Sequence, residues 1–350
     1  MDYREHDINR TWSAEGKIDF YRQMMRIRRF EQAALKNYLW GKMGGWLILS
    51  NGQESVAAIA RSLMGPQEHG ISGPRGIGHA LAAGMEMGPC MAEFYGKTNG
   101  CSKGKAGAFS LFDPPRHHWG CHGIAAAHAP LAAGLAFALK QRDIKGAVFC
   151  FLGDGSVNQG VYHESLNLAG LFSLPVIYII ENNGYAMGTS ISRSSVFKDC
   201  LARRAETYGI DWDVFSDEDP YEMRAKIQSA IDRAREHQRP TVLEISTYRY
   251  HGFTIADSMH RGGYRTQEES DAKKARDPML LWGRHLMDEG ILDEAELEMI
   301  TTAAKAEAKA AVEFAESGVA PTVSDISDDV YWETDHATES SKIGRHFFDE

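Results

Sequence analysis

Ala147-Val-Phe-Cys-Phe-Leu-Gly-Asp-Gly155 and Pro175-Val-Ile-Tyr-Ile-Ile-Glu-Asn-Asn183 decide the fold of this chain. Each opens on an unbroken apolar run, 147–152 and 175–180, as expected of a strand covered on both faces. Between them, 158–171 reads as helix. A third run, Thr241–Ser246, comes after a helix opening with Asp219-Pro220-Tyr221-Glu222. There Asp219 can cap, Pro220 takes the first helical position, and Glu222 completes a capping box. Strands alternating with helices predict an α/β fold, a doubly wound and mainly parallel sheet.

The residues just beyond each run matter more than the run itself. Gly153-Asp154-Gly155 comes directly after the first and Asn182-Asn183 directly after the second. In a doubly wound sheet, ligands sit beyond the carboxyl ends of the strands, so Asp154 and Asn183 should emerge side by side. One offers a charged oxygen and the other a neutral one. Magnesium favours such hard oxygens and completes its shell with phosphate oxygens and water. Gly155 leaves room for a phosphate near the start of the next helix, whose N–H groups and dipole attract an anion. A Gly-Asp-Gly turn alone is commonplace. An amide pair at the neighbouring strand end makes it specific.

Outward from this centre, 19–39 has helical periodicity with one wet face. The stretch 70–134 is rich in Gly, Ala and His, and small residues allow close backbone approach. Residues 129–139 are apolar on nearly all sides and read as a buried helix, with Gly123 just ahead of it. The segment 292–317 is an Ala/Glu/Lys-rich helix stopping at Gly318, and the tail after Trp332 is polar and expected to be loose. No repeat or linker divides the chain. We expect an α/β domain over 1–290, including the N-terminal helix, with a helical extension and polar tail over 291–350.

The 350 residues are 43% hydrophobic and 25% charged, an ordinary globular balance. No apolar run reaches the roughly 18 residues that span a bilayer. The start, MDYREHDINRTW, has neither a secretory nor a transit signature, so a cytoplasmic protein without membrane contact is expected. A net charge of −10 disfavours nucleic acid as a partner. Five scattered cysteines without a CxxC pair argue against both a disulfide framework and a zinc site.

Residues 153–190, GDGSVNQGVYHESLNLAGLFSLPVIYIIENNGYAMGTS, closely resemble the alpha subunit of the thiamine-diphosphate-dependent decarboxylating component of 2-oxo acid dehydrogenases, of pyruvate or acetoin type. The resemblance extends through Gly52-Gln-Glu54, Lys103-Gly-Lys105, Gly123-Ile124, Ala129-Pro130-Leu131, Thr247-Tyr-Arg-Tyr-His-Gly252, Tyr264-Arg265-Thr266 and Asp277-Pro278, over roughly 17–332. It implies thiamine diphosphate and Mg2+, the metal held by Asp154, Asn183 and the backbone carbonyl of Tyr185. It implies diphosphate contacts from Arg75, Gly155 and Ser156, and backbone approach of Gly123 and Ala125. The cofactor would serve as electron sink while carbon dioxide leaves. The glutamate that activates the cofactor would come from a separate beta subunit in an α2β2 assembly. A lipoyl-bearing acyltransferase and a flavoprotein dehydrogenase are the further partners implied.

The chain departs from the family pattern at several places. Pro74-Arg75 stands where relatives have Tyr-Arg, and Ile77 replaces a histidine, with His79 displaced. The segment 105–110 ends in Ser110 rather than histidine. His251-Gly252-Phe253-Thr254 replaces a His-Gly-His-Ser pattern, and the loop 257–264 is about two residues longer and contains His260. Histidines suit proton transfer near neutral pH, so His251, His260, His122 and His128 are the catalytic candidates. The favoured reaction is oxidative decarboxylation of a small 2-oxo acid with acyl transfer to lipoyl. Acetoin cleavage, a lipoyl-independent lyase or acyl transferase, and a catalytically silent cofactor-holding subunit are the rivals.

Overall fold

A computed structural model describes residues 2–259 and 263–329; His260 and the tail after Trp332 lie outside the described residues. Its centre is a six-stranded sheet in the order β2-β1-β3-β4-β8-β7, from β1 (His69–Ser72), β2 (His118–Cys121), β3 (Val148–Gly153), β4 (Val176–Asn182), β7 (Asp211–Ser216) and β8 (Thr241–Ser246). Every pairing in it is parallel. A separate antiparallel ribbon joins β5 (Tyr185–Ala186) to β6 (Thr189–Ser190).

The alternation of side chains explains the layers. Val148, Cys150, Leu152, Val176, Tyr178 and Ile180 pack into one core with the helices His128–Gln141 and Gly160–Phe172. Their neighbours Phe149, Phe151, Ile177 and Ile179 face the opposite core, beneath the helices Ala14–Leu39, Glu54–Leu63 and Pro220–His237. Asp219 caps the last of these by accepting from the N–H groups of Tyr221 and Glu222. The helix Glu294–Ser317 buries Ala304, Ala308, Ala311 and Ala315 against the body and packs along Met87–Phe94 and Ala14–Leu39. Among the described residues, no helix is long and apolar enough to cross a membrane.

Two sequence expectations fail. Asp219 caps Pro220–His237 without the reciprocal bond to Glu222 that a capping box requires. His128–Gln141 is not buried all round: Leu131 is 50% and Phe137 43% exposed. The helix covers the sheet with Ala129, Ala132, Ala133 and Ala136, while its opposite face stays open to solvent.

The topology fixes where a ligand can sit. From β1 the chain goes outward to β2, then returns past β1 to β3 and proceeds the other way. The crevice at the carboxyl ends of β1 and β3 is therefore the switch point of the sheet, the place where open α/β sheets bind ligands.

Candidate cofactor site

A cavity of about 320 Å³ opens at that switch point. Gly73, Pro74 and Arg75 reach it from the end of β1, Gly153 and Asp154 from β3, and Glu181 and Asn183 from β4. The residues singled out from sequence converge there: Arg75, Gly123, Ala125, Asp154, Gly155, Ser156, Asn183 and Tyr185 all line it.

Asp154 is 4% exposed, and its Oδ1 accepts from the Gly155 N–H at 2.7 Å. Its Oδ2 is buried without a partner. Burial pushes this carboxyl above its ordinary value, against the opposing pull of the Gly155 hydrogen bond and the Arg249 guanidinium. Asn183 Oδ1 accepts from Arg249 Nε at 3.2 Å and from the Tyr185 N–H at 3.3 Å. The Asn183 amide nitrogen donates to Gln53 Oε1 at 3.3 Å, while Gln53 Nε2 is buried and unpartnered. After Asn183 the chain turns through Gly184 at φ +87°, a conformation natural only to glycine, and enters β5. Gly155 cannot be larger, since a Cβ there would lie 2.4 Å from Cβ of Ala186.

Arg75 lines the cavity as its positive wall, and Arg249 stands behind it. Arg75 donates to the Leu49 carbonyl, and burial, with the nearby Arg249 guanidinium, pushes it down to about 10. A pair of like charges drawn out of water is stabilised by an anion between or beside them. Arg249 is fully buried and holds three loops together, donating to Asn183 Oδ1, to the Met187 carbonyl at 2.6 Å and to the His251 carbonyl at 3.0 Å. A buried orphan carboxylate oxygen, two neighbouring oxygens and a cationic wall suit a hard cation with its phosphate anion. Among the described residues no cluster of three or more His, Cys, Asp or Glu offers a different metal site.

The histidines are arranged differently. His122, His128 and His251 do not line the cavity, although Phe253 does. His128 is fully buried, with Nε2 bonded to the Phe151 carbonyl at 2.7 Å, and burial pushes it down to about 4. His122 Nε2 pairs with the Trp119 carbonyl at 3.1 Å. His251 is pushed below its ordinary value by burial, with Lys274 adding to it. Ile77 is a core residue, while His79 stacks on Phe151 and contacts the Glu181 carboxylate at 3.2 Å. The Phe253 N–H donates to Asp257 Oδ2 at 2.9 Å, fixing the start of the helix Ile255–Met259.

Sequence reasoning gave no role to Arg249, Gln53 or Glu181. The signal for Arg249 was present, since it stands just beyond β8 as Asp154 stands beyond β3 and Asn183 beyond β4. Gln53 lies inside the Gly52-Gln-Glu54 motif, but only the fold brings it to Asn183.

A parallel sheet with a polar cavity at its switch point defines an α/β chain with the place where such sheets bind ligands. The sequence model of the family described as dehydrogenase E1 component matches residues 22–324, and the chain belongs to that family. Curated relatives agree in length as well as in sequence. The "pyruvate dehydrogenase E1 component subunit alpha" of Rickettsia bellii is 37% identical over 317 residues, covering 91% of this chain and 96% of that protein. Proteins with the same name from Rhizobium meliloti and Zymomonas mobilis are 37% and 39% identical, over 91% and 88% of this chain and 91% and 86% of their own lengths. The chain is thus an E1 dehydrogenase component, a thiamine-diphosphate-dependent oxidoreductase chain.

Proposed function

We propose that this chain is the alpha subunit of an E1 enzyme that oxidatively decarboxylates a small 2-oxo acid, pyruvate foremost, and passes the acyl group to a lipoyl-bearing acyltransferase. The observation that carries the reading is the buried, unpartnered Oδ2 of Asp154 beside Asn183, in a cavity walled by Arg75. Pyruvate and the alpha designation come from the names of the relatives. A beta subunit would supply the activating glutamate in an α2β2 assembly, and a flavoprotein would reoxidise the lipoyl carrier. A cytoplasmic location belongs to the same reading, in keeping with five unpaired cysteines.

Asp154, Asn183 and the Tyr185 carbonyl would hold magnesium, and the cation would offset the cost of keeping Asp154 ionised while buried. Arg75, Gly155 and Ser156 would hold the diphosphate, with Gly123 and Ala125 approaching through their backbones. When bound, thiamine diphosphate supplies the electron sink for the bond to the departing carboxylate. Arg249 orients the Asn183 amide from below, and Phe253 shields the cavity from water with an apolar ring. His251, whose carbonyl is tied to Arg249 and Arg265, and His260 are the loop histidines proposed to move a proton during acyl transfer; His122 and His128 flank the Gly123 segment.

Phe253 favours a second reading. An aromatic ring on the cavity wall neither donates to phosphate nor carries a proton. This fits a thiamine-dependent lyase or acyl transferase whose acceptor is not lipoyl. The test is to co-purify the chain with its beta partner and assay 2-oxo acids and acetoin, with an artificial electron acceptor and separately with a lipoyl domain. Pyruvate turnover in both formats is expected, with the isolated chain inactive. Turnover by the single chain would overturn the two-chain reading. Product formation that leaves the lipoyl domain unacylated would install the second.

A further inference from the structure

Cys90, Cys101 and Cys121 meet in the fold despite their spacing in sequence. Cys90 and Cys121 belong to one buried apolar cluster, and Cys101 packs against it. Cys90 is fully buried in the helix Met87–Phe94, whereas Cys101 lies half-buried in the loop after that helix. The Cys101 N–H donates to the carbonyl of Pro89, the residue before Cys90, at 3.2 Å. The Cys90 and Cys101 thiols are near enough to shift each other's protonation in opposite directions.

The loop is held in place. The buried Glu93 carboxylate accepts from the N–H groups of Ser102, Gly104 and Ala106, each at 2.8 Å, and of Gly107 at 3.0 Å. Gly100 sits so close to the helix that a Cβ would lie 2.8 Å from the Glu93 nitrogen. A backbone bond from Cys101 to the peptide just before Cys90, with both side chains in one apolar cluster, gives the proximity that a disulfide needs, for which Cα separations run about 4.4–6.8 Å.

We propose that Cys90 and Cys101 form a peroxide-oxidisable dithiol that closes to an intrachain disulfide. The Cys101 thiolate attacks a peroxide oxygen; an S–O bond forms, the O–O bond breaks, and the departing hydroxide takes a proton to become water. The Cys90 sulfur, giving its proton to the second departing hydroxide, then attacks the Cys101 sulfur, so that S–S forms and S–O breaks. Two thiols and one hydrogen peroxide become one disulfide and two waters, with two electrons passing from sulfur to peroxide.

The electrostatics assign the roles in that order. The neighbouring Cys90 holds the Cys101 thiol below its ordinary value, while Cys101 and burial raise Cys90 well above. Burial pushes Cys121 up to about 11 and raises Cys150 and Cys200 as well, so Cys101 is the thiol favoured as thiolate. The loop runs on to Phe109, whose ring lies 3.8 Å from where a Cβ on Gly123 would stand. The loop thus links the dithiol to a ring beside Gly123, which lines the cavity.

The test treats the full chain, reduced and co-purified with its beta partner, with stoichiometric hydrogen peroxide. Two thiols should be lost, with a mass decrease of about 2 Da, a peptide map linking positions 90 and 101, and full reversal by dithiothreitol. C101S should abolish this and slow peroxide-driven thiol loss at least about tenfold, whereas C90A should leave Cys101 as a sulfenic acid that dimedone traps. C200S should change neither result. A disulfide mapping to another pair, or Cys101 advancing to sulfinic acid while Cys90 stays reduced, would overturn the proposal.

Discussion

The strand ends around Asp154 and the histidine-rich flank around His122 and His128 are both polar, both close to the cavity and both dense in groups that could do chemistry. They differ in what their polar atoms already touch. At the strand ends, Asp154 Oδ2 and Gln53 Nε2 are buried with no partner. In the flank, Nε2 of His122, His128 and His79 are each engaged, by the Trp119 carbonyl, the Phe151 carbonyl and Glu181. An unmet buried polar atom is costly and survives where a ligand meets it, whereas a satisfied one stabilises the fold. Unmet bonds, more than residue type, separate a binding wall from a packed one. His128 Nδ1, also buried and unpartnered, is the one atom of the flank that blurs this line.

The sharpest break would come at Asp154. Asp154→Ala should weaken magnesium-dependent thiamine diphosphate binding by roughly a thousandfold, since losing one partner of a buried charge pair costs about 3–5 kcal/mol. Far-ultraviolet circular dichroism should stay native; unchanged affinity by calorimetry would remove Asp154 from the site.

Next comes the wall residue. Phe253→His should raise lipoyl-domain acylation relative to decarboxylation by about 100-fold in single-turnover kinetics, the lower end of general acid–base assistance. His251→Ala and His260→Ala belong in the same experiment, made in the parent. Efficient acylation by the parent, untouched by either alanine, would end the loop-histidine assignment.

A smaller effect is expected beneath the site. Arg249→Met should weaken cofactor binding about tenfold through loss of the hydrogen bond orienting Asn183. Cofactor binding as tight as in the parent would show that Asn183 needs no such support.

The smallest effect tests the flank. His128 titrates near 6.5 when unfolded and about 4 when folded, so its contribution is complete above 6.5 and is lost as pH falls from 6.5 toward 4. His128→Gln should therefore lose about 1 kcal/mol less stability than the parent between pH 6.5 and 5.5 in denaturant unfolding. His118, pushed down to about 3 by burial, titrates in the same direction and leaves the variant some acid sensitivity. Identical slopes would mean that His128 is not held neutral by burial.

The sheet centre was legible because apolar runs are long where both faces are covered. The runs at 147–152, 175–180 and 241–246 become β3, β4 and β8 within two residues at either end. The flanking strands escaped notice for physical reasons. His-Gly-Ile-Ser and His-Trp-Gly-Cys carry no apolar run, and Asp211–Ser216 is an edge strand with polar residues on its open side. Without β1 and β2 the switch point could not be located, so Arg75 entered by resemblance alone. Glu181 was hidden for another reason: it stands near the carboxyl end of β4, and only pairing with Gly153 shows that it reaches the cavity.

The orphan oxygen of Asp154 also bears on how long the protein lasts. A carboxylate oxygen kept buried and unpartnered weakens the fold, and a cation bound there would relieve that cost. Ligand at a hundred times its dissociation constant adds about 2.7 kcal/mol of apparent stability. A bound cofactor would thus lower the fraction of chains that open at any moment and become available to proteases.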